Sequence, residues 1–244
     1  MKSIILCEGS SDFILLQYYM RTVNQWEHDK NNKIRFTNAI ARNCVLTKAD
    51  NMLCIAGCGG CSRIIPALSS ILDRNSISAE NEAFDNIIII TDRDELDTED
   101  NFIRQIERVM GNYNVQAVNG MENDIWAECT YINGQGKKKE VKLLLLVIPF
   151  EQTGAMETFL LNAVSENDEY DAGLIEKCNN FVDMVDEEKR YLTKRRYVTK
   201  AKFDVYFSIR TSAEQFVERQ NILKSVPWEK YMQIQKSFDK LSDL

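Results

Sequence analysis

A chain of 244 residues with a formal net charge of −7, 44% hydrophobic and 27% charged residues has the make-up of an ordinary globular protein, long enough for one α/β domain with an elaboration. The charge argues against a protein coated in basic surface, though not against a local basic groove. No apolar run approaches the roughly 20 residues that span a bilayer. Met1-Lys2-Ser3 leads straight into a strand pattern without a signal-peptide core, and the seven cysteines are an odd set, so reduced thiols in a cytoplasm are expected.

In chain order, Lys2 to Cys7 is a first strand, Glu8-Gly9-Ser10 a loop, and Ser11-Asp12 the N-terminus of a helix carrying Phe13, Leu16, Gln17 and Met20. Residues 26 to 50 are polar and mixed and read as an insertion with room for short strands. Asn51 to Ala56 is a second strand ending in Gly57-Cys58-Gly59-Gly60, and Arg63 to Leu72 is an amphipathic helix with Pro66 near its first turn. Asn86 to Thr91 is a third strand, followed by a helix from about Thr98 to Met110. Alternating strands and helices of this kind predict a parallel sheet flanked by helices. Ile125 to Ile132 and Val141 to Ile148 flank Asn133-Gly134-Gln135-Gly136-Lys137, which predicts a β-hairpin extension. A further helix starts near Thr153 to Glu157. The expected organisation is an α/β domain over 1–165 and a mainly helical C-terminal region over 166–244 packed on it.

Two apolar runs end abruptly in acid. Ile4-Ile5-Leu6-Cys7 meets Glu8-Gly9-Ser10-Ser11-Asp12, and Ile87 to Thr91 meets Asp92-Arg93-Asp94. Short continuous Ile/Leu runs are strands buried on both faces, and ligands bind at the carboxyl ends of such strands. Carboxylates held about 4 Å apart repel by about 4 kcal/mol at an effective dielectric of 20, so either their pKa values rise or a cation sits among them. Mg²⁺ or Mn²⁺ suits such hard oxygen ligands, and two ions can promote phosphoryl transfer. The bland alternative is that Asp12 caps a helix and Asp94 belongs to a turn.

A strand ending in Glu-Gly-x-x-Asp, a Gly-rich strand-to-helix loop and a later strand ending in Asp-x-Asp together resemble the Toprim domain of topoisomerases, bacterial-type primases and the OLD (overcoming lysogenization defect) nucleases. The matching residues are Glu8 to Asp12, Gly57 to Gly60 and Asp92 to Asp94, and the helix start at Gly154 to Leu160 is similar to that of OLD-like and stand-alone Toprim proteins. The resemblance implies that Glu8 is a metal ligand or general acid/base and that Asp92 and Asp94 bind Mg²⁺ or Mn²⁺. It implies a second metal position completed by Asp12 and Glu157, and a late lysine, best matched by Lys202, that neutralises phosphate in the transition state. No ATPase motif of the Gly-x-x-x-x-Gly-Lys-Ser/Thr type is present, so ATP-driven action would need a separate partner.

Lys189 to Lys202 holds seven Lys/Arg with Tyr191 and Tyr197 interleaved, a pattern suited to tracking phosphates and stacking bases, or else to a solvated helix face. The expected nucleic-acid contacts are Arg63, Lys194, Arg195, Arg196 and Lys200. Lys137-Lys138-Lys139 reads as a solubilising turn. Cys54, Cys58 and Cys61 lack the second ligand pair of a structural zinc site, and the lone His28 has no nucleophile beside it. The acidic loop after the first strand disfavours a dinucleotide. The function expected is a metal-dependent nuclease acting on DNA or RNA. The alternatives are a non-catalytic Toprim-like module binding nucleic acid or a protein partner, and a haloacid-dehalogenase-like phosphatase using Asp92-Arg93-Asp94.

Overall fold

The computed structural model describes residues 1–32, 34–36, 39–78, 82–211, 223–224 and 226–244. Its strands are β1 (Lys2–Cys7), β2 (Glu27–His28), β3 (Arg42–Lys48), β4 (Asn51–Gly57), β5 (Asn86–Asp92), β6 (Gln116–Ala117), β7 (Ala127–Ile132) and β8 (Lys138–Ile148). Its helices are α1 (Ser10–Thr22), α2 (Ile64–Ile77), α3 (Thr98–Asn112), α4 (Met156–Asn167), α5 (Glu169–Val185), α6 (Arg195–Arg210) and α7 (Met232–Phe238). The result is a mixed α/β fold, its sheet ordered β2-β3-β4-β1-β5-β8-β7-β6. Among the described residues no helix is long and apolar enough to cross a membrane.

The four central strands, β4-β1-β5-β8, are parallel. Antiparallel strands extend the sheet on both sides, β3 and β2 beyond β4, β7 and β6 beyond β8. Two strands of the 26–50 segment, β2 and β3, therefore form one side of the sheet. The predicted hairpin is not an appendage either, because its second strand is the fourth strand of the parallel core. Its burial shows the change of role. From Lys138 to Lys142, where β7 is its partner, buried and open positions mix; from Leu143, where β5 pairs on the other side, every residue is buried. Alternation marks a half-buried strand and a continuous apolar run marks one covered on both faces.

Side chains alternate between the two faces with period two. Ile5, Cys7, Ile88, Ile90, Leu144 and Leu146 pack against α1, α4, α6 and α7, whereas Ile4, Leu6, Ile87, Ile89, Leu143 and Leu145 pack against α2 and α3. The C-terminal region completes the first of these layers. On α6, Phe203, Tyr206 and Phe207 recur at i, i+3 and i+4 and bury one stripe; Phe207 lies 6.2 Å ring to ring from the fully buried Trp228. That stripe fixes the rotation of α6.

Candidate functional site

The chain runs from β1 through α1 to β4, then crosses back to β5 on the other side of β1, with α1 on one face and α2 and α3 on the other. The connections diverge between β1 and β5, leaving a crevice at their carboxyl ends, the topological switch point where open α/β sheets bind ligands. The register aligns the ends: Cys7 faces Gly57 on one side and Ile90 on the other, and Asp92 faces Ile148. A cleft of about 800 Å³ opens there, with Glu8, Asp12, Asp92, Asp94 and Glu157 in its lining. All five carboxylates singled out in the sequence are brought together.

They fall into two groups for a reason visible in the strands. Residues 8 and 92 stand one alternation step apart, so Glu8 belongs to the α2/α3 side of the sheet and Asp92 to the α1/α4 side. Asp92 is partly buried, and burial first, then the charges of Asp12, Glu8 and Glu157, push its pKa well up. One of its oxygens accepts from the backbone N–H of Met156 at 2.9 Å, the first residue of α4. Glu157, next along and buried, accepts from the Ser11 hydroxyl at 3.3 Å. Asp12 sits in the first turn of α1 and reaches back to the Gly9 N–H at 2.7 Å, half of a capping box. Burial raises its pKa to about 6; the Gly9 N–H and Lys200 act against that rise, and Glu157 adds to it.

Glu8 stands on the other side, with the exposed Asp94 also near it. Burial, then Asp12 and Asp94, raise its pKa to about 7, held back by backbone N–H groups of Cys61 and Asp92. Its Oε2 is buried with no hydrogen-bond partner among the described residues. The Gly-rich loop serves this residue rather than a phosphate. The N–H groups of Gly59 and Gly60, at φ of +85° and +139°, both donate to the Glu8 carbonyl, at 2.9 and 3.0 Å. Glycine permits those angles, and the loop thereby clamps the end of β1.

The cationic bank is set by helical period. Arg195, Arg196, Thr199 and Lys200 line the cleft and continue, at i, i+3 and i+4 spacing, the buried stripe of Phe203 and Phe207. Arg195 donates to the Asp94 carbonyl and lies 3.7 Å from the Glu95 carboxylate. Lys202 lies elsewhere. Two residues beyond Lys200, it points about 160° away around the helix and pairs with Asp183 of α5 at 2.8 Å. The lysine that approaches the carboxylates is Lys200, and the aromatic stripe was the signal in the sequence that could have selected it. Arg63, exposed before α2, and Lys194, stacked 6.0 Å over the Tyr197 ring, lie outside the lining. Arg93 is structural: its guanidinium bonds the Pro149 carbonyl and Glu99, each at 2.7 Å.

Sequence reasoning missed Arg42. It opens β3 and faces Gly57 across the ladder, its stem lying where a Gly57 Cβ would stand 3.1 Å from Arg42 Cγ. Its guanidinium lies 5.7 Å over the Phe13 ring at the far side of the cleft. Reading 42–48 as the antiparallel partner of 51–57 would have brought it to the rim.

The chain matches the family described as "Protein of unknown function (DUF3226)" over residues 2–238. It belongs to that family. No curated protein matches it. Among solved structures, it is similar to hypothetical protein PH0156 from Pyrococcus horikoshii OT3, with a TM-score of 0.51 and 16% identity, over 87% of this chain and 91% of that one. At that identity the likeness speaks to the fold alone, which the two share.

The donors can be tested against a metal ion. Among the described residues no three His, Cys, Asp or Glu side chains already converge as a cluster that could hold one, whether zinc at the cysteines or a hard cation at the rim. Cys54 and Cys58 are buried free thiols and Cys61 is exposed. The rim does fit Mg²⁺ or Mn²⁺ in chemistry. Such ions are held through one or two carboxylates while keeping several waters, and Glu8 has a buried oxygen that a cation would satisfy.

Proposed function

We propose that this protein is a metal-dependent phosphodiester hydrolase of Toprim type acting on nucleic acid. The observation that carries the reading is the five-carboxylate floor at the switch point, with pKa values raised at Glu8, Asp12 and Asp92, facing Arg195, Arg196 and Lys200 in one cleft. Acidic groups whose charges are mutually costly are poised to receive a cation, and cations opposite them suit a phosphate. Glu8 with Asp94, and Asp92 with Asp12 and Glu157, would hold Mg²⁺ or Mn²⁺. When bound, the metal would polarise a phosphoryl oxygen and supply a nucleophile at neutral pH. Glu8 would act either as a metal ligand or, where it stays off the metal, as the group that takes a proton from or returns one to the reacting groups. Lys200, Arg195 and Arg196 would orient the phosphate and offset its growing charge.

One observation favours a non-catalytic binding module as the second reading. Asp12 and Asp92 each already accept a backbone N–H at a helix start, so both also do structural work. Cleavage of labelled single- and double-stranded DNA and RNA with Mg²⁺ or Mn²⁺ separates the two. The nuclease reading expects metal-dependent cleavage by the wild type that Asp92→Asn and Glu8→Gln abolish. Binding without cleavage on any of these substrates would overturn it in favour of the module, and equal cleavage by the variants would expose a contaminant.

A further inference from the structure

We infer that Arg42 is a phosphate-binding residue on the bank opposite α6, so that the cleft takes a polynucleotide strand laid across the strand ends rather than a mononucleotide. The inference rests on the nuclease reading above and narrows its substrate.

A single row of the sheet runs Arg42–Gly57–Cys7–Ile90, three inter-strand steps, and the acids follow directly after Cys7 and Ile90. At about 4.8 Å per step the backbone of Arg42 lies about 14 Å from β5. Its stem leans inward over Gly57, which has no side chain to obstruct it, and leaves about 10 Å between the guanidinium and the end of β5. Arg195 is bound to Asp94 and Glu95 just beyond β5. Glu8, at the end of β1, therefore lies between two cationic banks. A stacked strand advances only about 3.4 Å along its axis per phosphate, so one phosphate cannot reach both banks and several in succession can.

Arg42 is also uncommitted. Among the described residues no carboxylate pairs with its guanidinium, whereas Arg93 and Arg195 each have one. Its stack on Phe13 holds the planar group in place and leaves its N–H donors free for a phosphate, the geometry for which arginine is suited. The side chain is exposed at the start of β3, beyond the residues that β2 covers, so its removal leaves no buried partner unsatisfied.

The test is fluorescence anisotropy with a labelled oligothymidylate about 12 nucleotides long, against a dinucleotide, with Ca²⁺ replacing Mg²⁺ so that binding is read without turnover. Arg42→Ala should raise the Kd for the oligonucleotide roughly tenfold and lower the slope of log K against log salt by about one, with no change for the dinucleotide. Arg42→Lys should keep the slope and recover part of the affinity, a rescue that a merely structural role would not give. An unchanged melting temperature confirms that Arg42→Ala is folded. If the wild type binds the oligonucleotide and Arg42→Ala matches it in Kd and slope, the inference is overturned while the nuclease reading stands. No oligonucleotide binding by the wild type would overturn the inference, and the nuclease reading would fall with it if the DNA and RNA of the cleavage assay were also left uncut.

Discussion

The floor and the bank of the cleft are both built of charged side chains, yet they are held in opposite ways. The floor hangs from strand ends and first helical turns, its members running from the exposed Asp94 to the buried Asp12 and Glu157, three of them fastened by backbone N–H groups and raised in pKa. The bank rides on one helix, its cations exposed at their tips and positioned by an aromatic stripe buried several residues further along. Burial makes the floor electrostatically expensive without a cation, because charge repulsion in a low-dielectric site is poorly screened. Exposure makes the bank cheap to keep and sensitive to salt. Under the proposed function, a site assembled this way would hold its metal by preorganisation and its polyanion by long-range attraction.

That contrast can be broken at several points. Asp92→Asn keeps an acceptor for the Met156 N–H but removes a partly buried charge, and cleavage should fall at least about 10³-fold with the fold intact by circular dichroism. Residual cleavage within tenfold of wild type would remove Asp92 from the chemistry. Replacing Arg195, Arg196 and Lys200 together by alanine should instead act on binding, weakening an oligonucleotide roughly a hundredfold near physiological salt and lowering the salt slope by about 3. A loss of affinity with an unchanged slope would mean that these cations touch no phosphate.

The floor also predicts a pH dependence of stability with a definite sign. Glu8 has an ordinary value of 4.5 and a folded one of about 7; Asp12 has 3.8 and about 6. Between those values the folded chain holds protons that the unfolded chain has lost, so stability of the metal-free protein falls as pH rises from about 4 to about 7. Glu8 accounts for at most about 3 kcal/mol of this, less what solvent at its open side screens. Thermal melts of Glu8→Gln should show a flatter decline and a higher melting temperature than wild type at pH 7.5. Mg²⁺ should restore the wild type there, since it stabilises the ionised acids it binds. A wild type whose melting temperature rises over this interval without metal would contradict the raised values.

The smallest effect is expected at Lys202. Its pair with Asp183 is partly exposed, so Lys202→Ala should cost no more than about 0.5 kcal/mol and leave cleavage unchanged. Loss of cleavage in that variant would return to Lys202 the role assigned from resemblance.

Much of this molecule was legible in its residues, for local reasons. Lys2 to Cys7 and Asn86 to Asp92 are strands because unbroken runs of Ile and Leu can be buried on both faces only in the middle of a layered sheet. The acids directly after them had to stand at the carboxyl ends, so Glu8, Asp12, Asp92 and Asp94 were legible from the strands, whereas Glu157 was implied only by the family resemblance. What the chain's pattern could not supply was the order of non-consecutive strands. The placement of β8 beside β5, and of β3 beyond β4, depends on pairing between segments far apart in sequence. That placement turned an apparent hairpin appendage into a core strand and an opaque insertion into the side of the sheet carrying Arg42. The choice between Lys200 and Lys202 likewise depended on which face of α6 packs inward, a matter of Phe203, Tyr206 and Phe207 meeting Trp228. Period and polarity are properties of a segment and can be read along it. Which segments become neighbours is settled by burying the apolar faces of all of them together, and the second bank of the cleft exists only because of that settlement.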